Sequence, residues 1–266
     1  PLIINLLKLH PIKPSRNDVN DQDIDLQESI LVCIASLVAY MPNHIPPVAR
    51  QFRDLLTHCV NHNVGLYEAV CRSIVIAADG FKDLGMIDIF DILLPLIQEI
   101  SKTDIRSLII WVHKAISALL MTFGNELALK YLTEIKQPLI RGLSGLFDNV
   151  YFPFGRLSSS IDIHLLAPIF ECLDRFIGAL GPSATPYVDE IYRALKSYLF
   201  NQNKLYCVYP LEIFSHICFI DPGYEDLYLM TIDKCVVYLN DGGHIIIQTL
   251  LTKSFRYLLY SNKEGL

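Results

Sequence analysis

FIGALGPSATPYVDEIYRAL, residues 176–195, lies without a gap over LVAYMPNHIPPVARQFRDLL, residues 37–56. An apolar helix end meets an apolar helix end. Pro186 falls on Pro47, Tyr187 on Val48, Ile191 on Phe52 and Leu195 on Leu56. The physical plan is the same in both stretches. One helix stops, a short turn follows, and a proline stands near the start of the next helix, where its preset φ fits and its missing N–H is not needed. The second helix then returns antiparallel to the first. A helix pair used more than once is the building unit of an α-solenoid.

Working outward, the apolar spacing stays helical. Ile30, Ile34, Leu37, Val38 and Met41 mark one stripe, and Phe52, Leu55, Leu56, Cys59 and Val60 mark the next. The spacing predicts helices over roughly 2–9, 24–41, 46–61, 65–79, 84–101, 103–123, 126–147, 159–180, 184–201, 203–219, 222–240 and 243–260. No alternation of the strand kind persists. Further junctions are read at Asp79-Gly80, Gly124-Asn125 and Asp221-Pro222. Junctions at 42, 80, 124, 181 and 221 are spaced by 38, 44, 57 and 40 residues. Three of the four lie in or near the ~40–47 residues of HEAT and armadillo units. The expected fold is therefore all-α, an α-solenoid of about five to six antiparallel HEAT-like pairs forming a right-handed superhelical segment over residues 1–266. A non-repeating helical bundle is the competing arrangement. Residues 11–23 and 148–158 read as exposed loops.

Composition agrees with a stack. The chain is 52% hydrophobic and only 19% charged, with a mean hydropathy of +0.35. Stacked helices need such sequence because each buries one side against its partner and another against the next layer. The best candidate for a membrane span, Ile105 to Phe123, carries Arg106, His113 and Lys114, which are costly at membrane depth. No membrane insertion is expected. The seven cysteines (33, 59, 71, 172, 207, 218 and 235) sit in helical apolar patterns without a C-x-x-C pair. They read as buried thiols of a reducing, intracellular compartment. The chain opens on Pro1-Leu2-Ile3-Ile4, which suggests an excerpt of a longer solenoid. A net charge of −6 disfavours direct nucleic-acid binding and suits basic partners.

The residues offer little for catalysis. His58 and His62 are one helical turn apart and could share a face, but no glutamate follows the first and no second ligand pair is near. Gly242-Gly243 and Gly178-x-x-Gly181 read as helix ends, not as phosphate loops. Asp162 and His164 near Ser158-Ser159-Ser160 read as a cap and first turn, not as a triad. Trp111 reads as core. No nucleophile, base and orienting group can be drawn together, so neither an enzyme nor any metal or cofactor is expected.

Acids on the second helix of each pair are the candidate binding groups. Asp88 and Asp91 lie on one such helix, Asp189 and Glu190 open another, and Asp226 and Asp233 lie on a third. Any single one is accounted for by complementing its helix dipole. Together they would form a discontinuous acidic wall, because successive pairs stack in parallel register.

The stretch FECLDRFIGALGPSATPYVDEIYRALKSYLFNQNKLYCVYPLEIFSHICF (170–219), followed by DPGYEDLYLMTIDKCVVYL (221–239), resembles the helix pairs of the importin-β, or karyopherin, superfamily. Its layout is similar to the branch of transportin-SR and importin-13 and to exportin-type members. The resemblance implies a superhelical transport receptor in nucleus and cytoplasm that binds protein cargo, with the GTPase Ran contacted through other parts of the full chain. No Ran-binding motif of that family is found here, nor its strong acidic loop. The alternative from another class is a HEAT-repeat scaffold subunit of a stable trafficking, kinase-regulatory or chromatin complex.

Overall fold

The computed structural model describes residues 21–42, 46–100, 106–148, 163–196, 198, 204–221, 223–240 and 245–261. Among these residues there is no strand; α-helices alternate with short 3-10 segments. The contacts gather into two units, residues 1–127 and 128–266.

The first unit holds α1 (Asp21–Tyr40), α2 (Pro46–His62), α3 (Tyr67–Asp83), α4 (Leu93–Ile100) and α5 (Arg106–Phe123). The first helices form one row: α3 packs against α1 on one side and α5 on the other. The second helices form another, with α2 touching both α3 and the 3-10 segment Ile87–Ile92 that leads into α4. Helix α2 starts on Pro46 and buries Ala49, Phe52, Leu56, Cys59 and Val60, one stripe at helical spacing. Arg50, Gln51, Asp54, Thr57 and His58 face out. Each large apolar side chain so buried contributes about 1.5–3 kcal/mol.

Helix α3 corrects the sequence reading. A junction was expected at Asp79-Gly80, yet the helix runs on to Asp83. Gly80 is buried in mid-helix, and a Cβ there would lie 2.1 Å from the Val38 carbonyl oxygen of α1. The glycine is there for the close approach of two helices, not for a turn. The helix ends instead at Gly85, whose φ of 65° is open to a residue without Cβ. Met86 N–H donates to Phe81 O and Gly85 N–H to Lys82 O, both at 2.8 Å, which is the Schellman arrangement. Asp88 and Asp91 therefore stand on the 3-10 lead-in and not on the α-helix proper.

Beyond α6 (Asn125–Lys130), which breaks the expected 126–147 helix at Tyr131, the second unit holds α7 (Leu132–Asp148), α8 (Ile163–Leu180), α9 (Val188–Leu195), α10 (Lys204–Ile220), α11 (Glu225–Asn240) and α12 (Ile245–Ser261). Here α8, α10 and α12 form the row of first helices, with α10 between the other two. Helix α9 packs on α7, and α11 on α10 and α12. The turn after α8 is a 3-10 segment, Gly181–Tyr187, so Pro186 sits before the α-helix, whereas Pro47 sits inside α2. The aligned core positions agree all the same: Phe52 and Ile191, and Leu56 and Leu195, are all buried. Thr185 Oγ1 donates to Asp221 Oδ2 at 2.9 Å, tying this turn to the one that follows α10.

Two smaller expectations change. Six cysteines are buried, but Cys33 is exposed. Trp111 is only partly buried; Arg72 and Lys114 lie over its ring at 5.6 and 4.6 Å. Its indole covers the side of the unit and does not fill the core. No helix among the described residues is long and apolar enough to cross a membrane. The expected helix at 2–9, the 148–158 loop beyond Asp148, most of the 11–23 loop, Ser158–Ser160, Asp162, the His164 side chain and Gly242-Gly243 lie outside what is described.

Candidate functional site

The second helices carry the six expected acids. In the first unit, Asp88 Oδ2 pairs with Arg53 Nη1 of α2 at 2.7 Å, and Asp91 is exposed. In the second unit, Glu190 Oε2 pairs with Lys136 Nζ of α7 at 2.7 Å, and the same ammonium lies 4.8 Å from the Tyr187 ring centre. These two acids thus hold neighbouring second helices together. Asp189, Asp226 and Asp233 are exposed. The field of Asp189 reaches Tyr224, whose hydroxyl is raised by burial first and then by Asp189 and Asp221. The Tyr224 hydroxyl donates to the Thr185 carbonyl at 3.4 Å, which sets the turn before α9 beside the turn that opens α11. The structure therefore brings Asp189 near the start of α11, while Asp88 and Asp91 belong to the other unit.

Helix α11 adds apolar groups that the sequence reading did not single out. Leu229, Val236 and Val237 are exposed by 53, 43 and 55%. With Asp226 and Asp233 they stand at i, i+3, i+7, i+10 and i+11, one face of a helix. The opposite face, Leu227, Thr231 and Cys235, is buried. Aliphatic and acidic groups share this outward stripe.

A second cluster lies on the first-helix row and was missed. A pocket of about 530 Å³ opens between α8, α10 and α12. Its floor holds Asp174 and Glu212, 9 and 6% exposed. His216 Nδ1–H donates to Asp174 Oδ1 at 2.8 Å, and Lys253 Nζ pairs with Glu212 Oε1 at 3.1 Å. Burial, then the charge of Asp174, push Glu212 above the usual carboxylate range, and Lys253 draws it back. The His216 ring stacks on Tyr257, centroids 4.4 Å apart and 3° from parallel. It has room because residue 178 is glycine: a Cβ there would lie 2.8 Å from His216 Cε1. Buried carboxylates are rare without partners, and both have one. One signal in the sequence could have found this cluster. Extending the 139-residue offset between the two repeats sets Asp174 on Ala35, a fully buried alanine of α1. An acid on a core position is a local rule broken, as functional sites often require.

His58 and His62 share a face as expected, with ring centroids 4.4 Å apart. Among the described residues no group of three or more His, Cys, Asp or Glu side chains is placed to hold a metal ion.

No protein-family model matches the chain, and no curated protein matches it. Solved structures do. A designed armadillo repeat protein in complex with the peptide (KR)4 matches with a TM-score of 0.59 at 12% identity, covering 91% of this chain and 95% of that one. Two engineered proteins match with TM-scores of 0.60 and 0.56 at 11 and 14% identity, each covering 98% or more of this chain and 98% of the other. At such identities the likeness is one of fold. The chain is an all-α, armadillo-like solenoid.

Proposed function

We propose that this chain is a protein-binding solenoid segment whose second helices take a basic partner. The observation that carries the reading is the outward face of α11, where Asp226 and Asp233 stand among Leu229, Val236 and Val237. Such a face offers apolar contact area and a negative field in one place, and suits a segment with lysine or arginine beside aliphatic residues. The net charge of −6 supports it. So does the armadillo design, which is in complex with a peptide of alternating lysine and arginine. Each exposed carboxylate contributes only about 0–1 kcal/mol, so binding is spread over several. The test uses a fluorescent (KR)4 peptide, titrated with the chain at low and high salt. Replacing Asp189, Asp226 and Asp233 together by asparagine is expected to weaken binding at low salt and to change little at high salt. Unchanged binding at both would leave these acids as dipole complements only.

The finer reading is a segment of a nucleocytoplasmic transport receptor, in nucleus and cytoplasm, with cargo held here and Ran contacted elsewhere in a longer chain. It rests on the layout of residues 170–239. Capture of partners from lysate with and without GTP-locked Ran tests it. Release on adding Ran supports a receptor, and indifference favours a scaffold in a stable assembly.

A further inference from the structure

The pocket between α8, α10 and α12 is not explained by a second-helix surface for basic partners. Its volume of about 530 Å³ is that of a small-ligand site, about 300–1,000 Å³. Its two buried acids are already engaged, Asp174 by His216 and Glu212 by Lys253. At the mouth stand Arg175 and Arg256, both exposed. Neither is in an ion pair among the described residues. They come from the helices on either side of α10, yet both line this one pocket together with Tyr257. Two guanidiniums lining one pocket form a donor set for a carboxylate or phosphate, which guanidinium forks bind bidentately. Phe219, 44% exposed, lies 5.8 Å from Tyr257 between ring centres and offers an apolar wall. A cationic ligand would need a free carboxylate, and neither acid is free. The lining also counts three cations, Arg175, Lys253 and Arg256, against two acids.

We propose that this pocket binds an oxyanion, phosphate or carboxylate, carried on an aromatic body, with Arg175 and Arg256 as its grip and Phe219 and Tyr257 as its wall. The Asp174–His216–Tyr257 chain then has a task. A hydrogen bond of 2.8 Å orients the imidazole, and the imidazole fixes the tyrosine by stacking. A wall held in place before the ligand arrives loses less entropy on binding. The two Arg side chains remain exposed to solvent and can close on the ligand from both sides.

The experiment is calorimetric titration of the whole chain with phenyl phosphate, inorganic phosphate, phenylguanidinium and a short phosphotyrosine peptide. Phenyl phosphate is expected to bind more tightly than inorganic phosphate. Replacing Arg175 and Arg256 together by glutamine should weaken it by about tenfold or more, as expected for loss of two charge-assisted contacts. Both residues are exposed, so melting of the variant, followed by circular dichroism, should match the parent. Phe219→Ala should remove the preference for phenyl phosphate over inorganic phosphate and leave the latter's binding in place. A peptide that binds well above phenyl phosphate places the oxyanion on a protein partner; equal binding places it on a free small anion. No binding of phenyl phosphate at millimolar concentration, equal binding by the arginine variant, or tighter binding of phenylguanidinium overturns the proposal. The second-helix acids are untouched throughout, so a failure here leaves the (KR)4 test independent.

Discussion

Acidification should weaken the first unit through one side chain, His113. The residue is 1% exposed on α5. Its Nδ1–H donates to the Ile109 carbonyl at 2.7 Å, and its buried Nε2 meets no partner among the described residues. Burial drives its pKa down to about 4, the backbone hydrogen bond resisting weakly. The unfolded chain takes up this proton near pH 6.5, and the folded chain does so only near 4. The stabilising share is whole above about 6.5 and is lost as pH falls from there toward 4. Below about 4 the loss levels off at roughly 3 kcal/mol, from 1.36 kcal/mol per pKa unit. Between pH 7 and pH 5 the same linkage gives about 2 kcal/mol. The assay is urea unfolding read by the fluorescence of Trp111, the single tryptophan, which lies on the same helix. His113→Leu is the control: it keeps the volume and removes the titration, and should cost under about 1.5 kcal/mol at pH 7. The parent should lose about 2 kcal/mol more than this variant on going from pH 7 to pH 5. Equal losses would mean that the imidazole is not held neutral in the core, and the burial argument for α5 would fall. Glu212 cannot mimic the effect. Its raised pKa makes acidification stabilising, and it lies in the other unit.

Two further outcomes follow from packing. Gly80→Ala puts a methyl against the Val38 carbonyl oxygen; since backbone cannot step aside, it should destabilise the first unit by about 1–3 kcal/mol or more, read by the same unfolding curves, although alanine is the better helix former by about 1 kcal/mol. Thiol titration of the native chain should label Cys33 fast and the other six slowly, because burial removes access and pushes Cys59, Cys218 and Cys235 up to about 12. Rapid labelling of several would contradict the core described here.

Much of the fold was readable because helix packing imposes one period on the chain. The stripe of α2 and the aligned pairs Phe52/Ile191 and Leu56/Leu195 are buried as the spacing demands. Gly80 was misread because a glycine that ends a helix and one that admits a neighbouring backbone look alike in a single sequence. Only the partner, Val38, tells them apart. The 3-10 segment Ile87–Ile92 was also invisible, since it keeps nearly the same apolar spacing as an α-helix, whereas Gly181–Tyr187 was read as a turn and only its 3-10 form was not. Most of the second-helix acids were found because they stand near helix starts; Asp233 lies in mid-helix. Two of them, Asp88 and Glu190, turned out to be engaged by Arg53 and Lys136, contacts between residues 35 and 54 positions apart. The pocket was harder still. Asp174, His216 and Tyr257 come from three helices, and each alone looks like an isolated polar residue on an apolar stripe.

The pocket's charges are poor candidates for mere stabilisers. Taking a carboxylate out of water costs several kcal/mol, and a buried pair often does no better than apolar residues of the same volume. Ala35 shows that the repeat can fill the position of Asp174 without any charge. Retaining an acid, a histidine and a glycine that makes room for it is then a cost met for geometry. Within the second unit that geometry also separates two fields. The acids of α9 and α11 lie on the second helices; Arg175 and Arg256 lie on the first-helix row. Packed helices stand about 8–10 Å apart, and exposed charges are screened within about 8 Å at physiological salt. One row can therefore attract cations while the other attracts anions, with little interference. A solenoid with a single helix layer could not keep the two apart; a stack of helix pairs does so by construction.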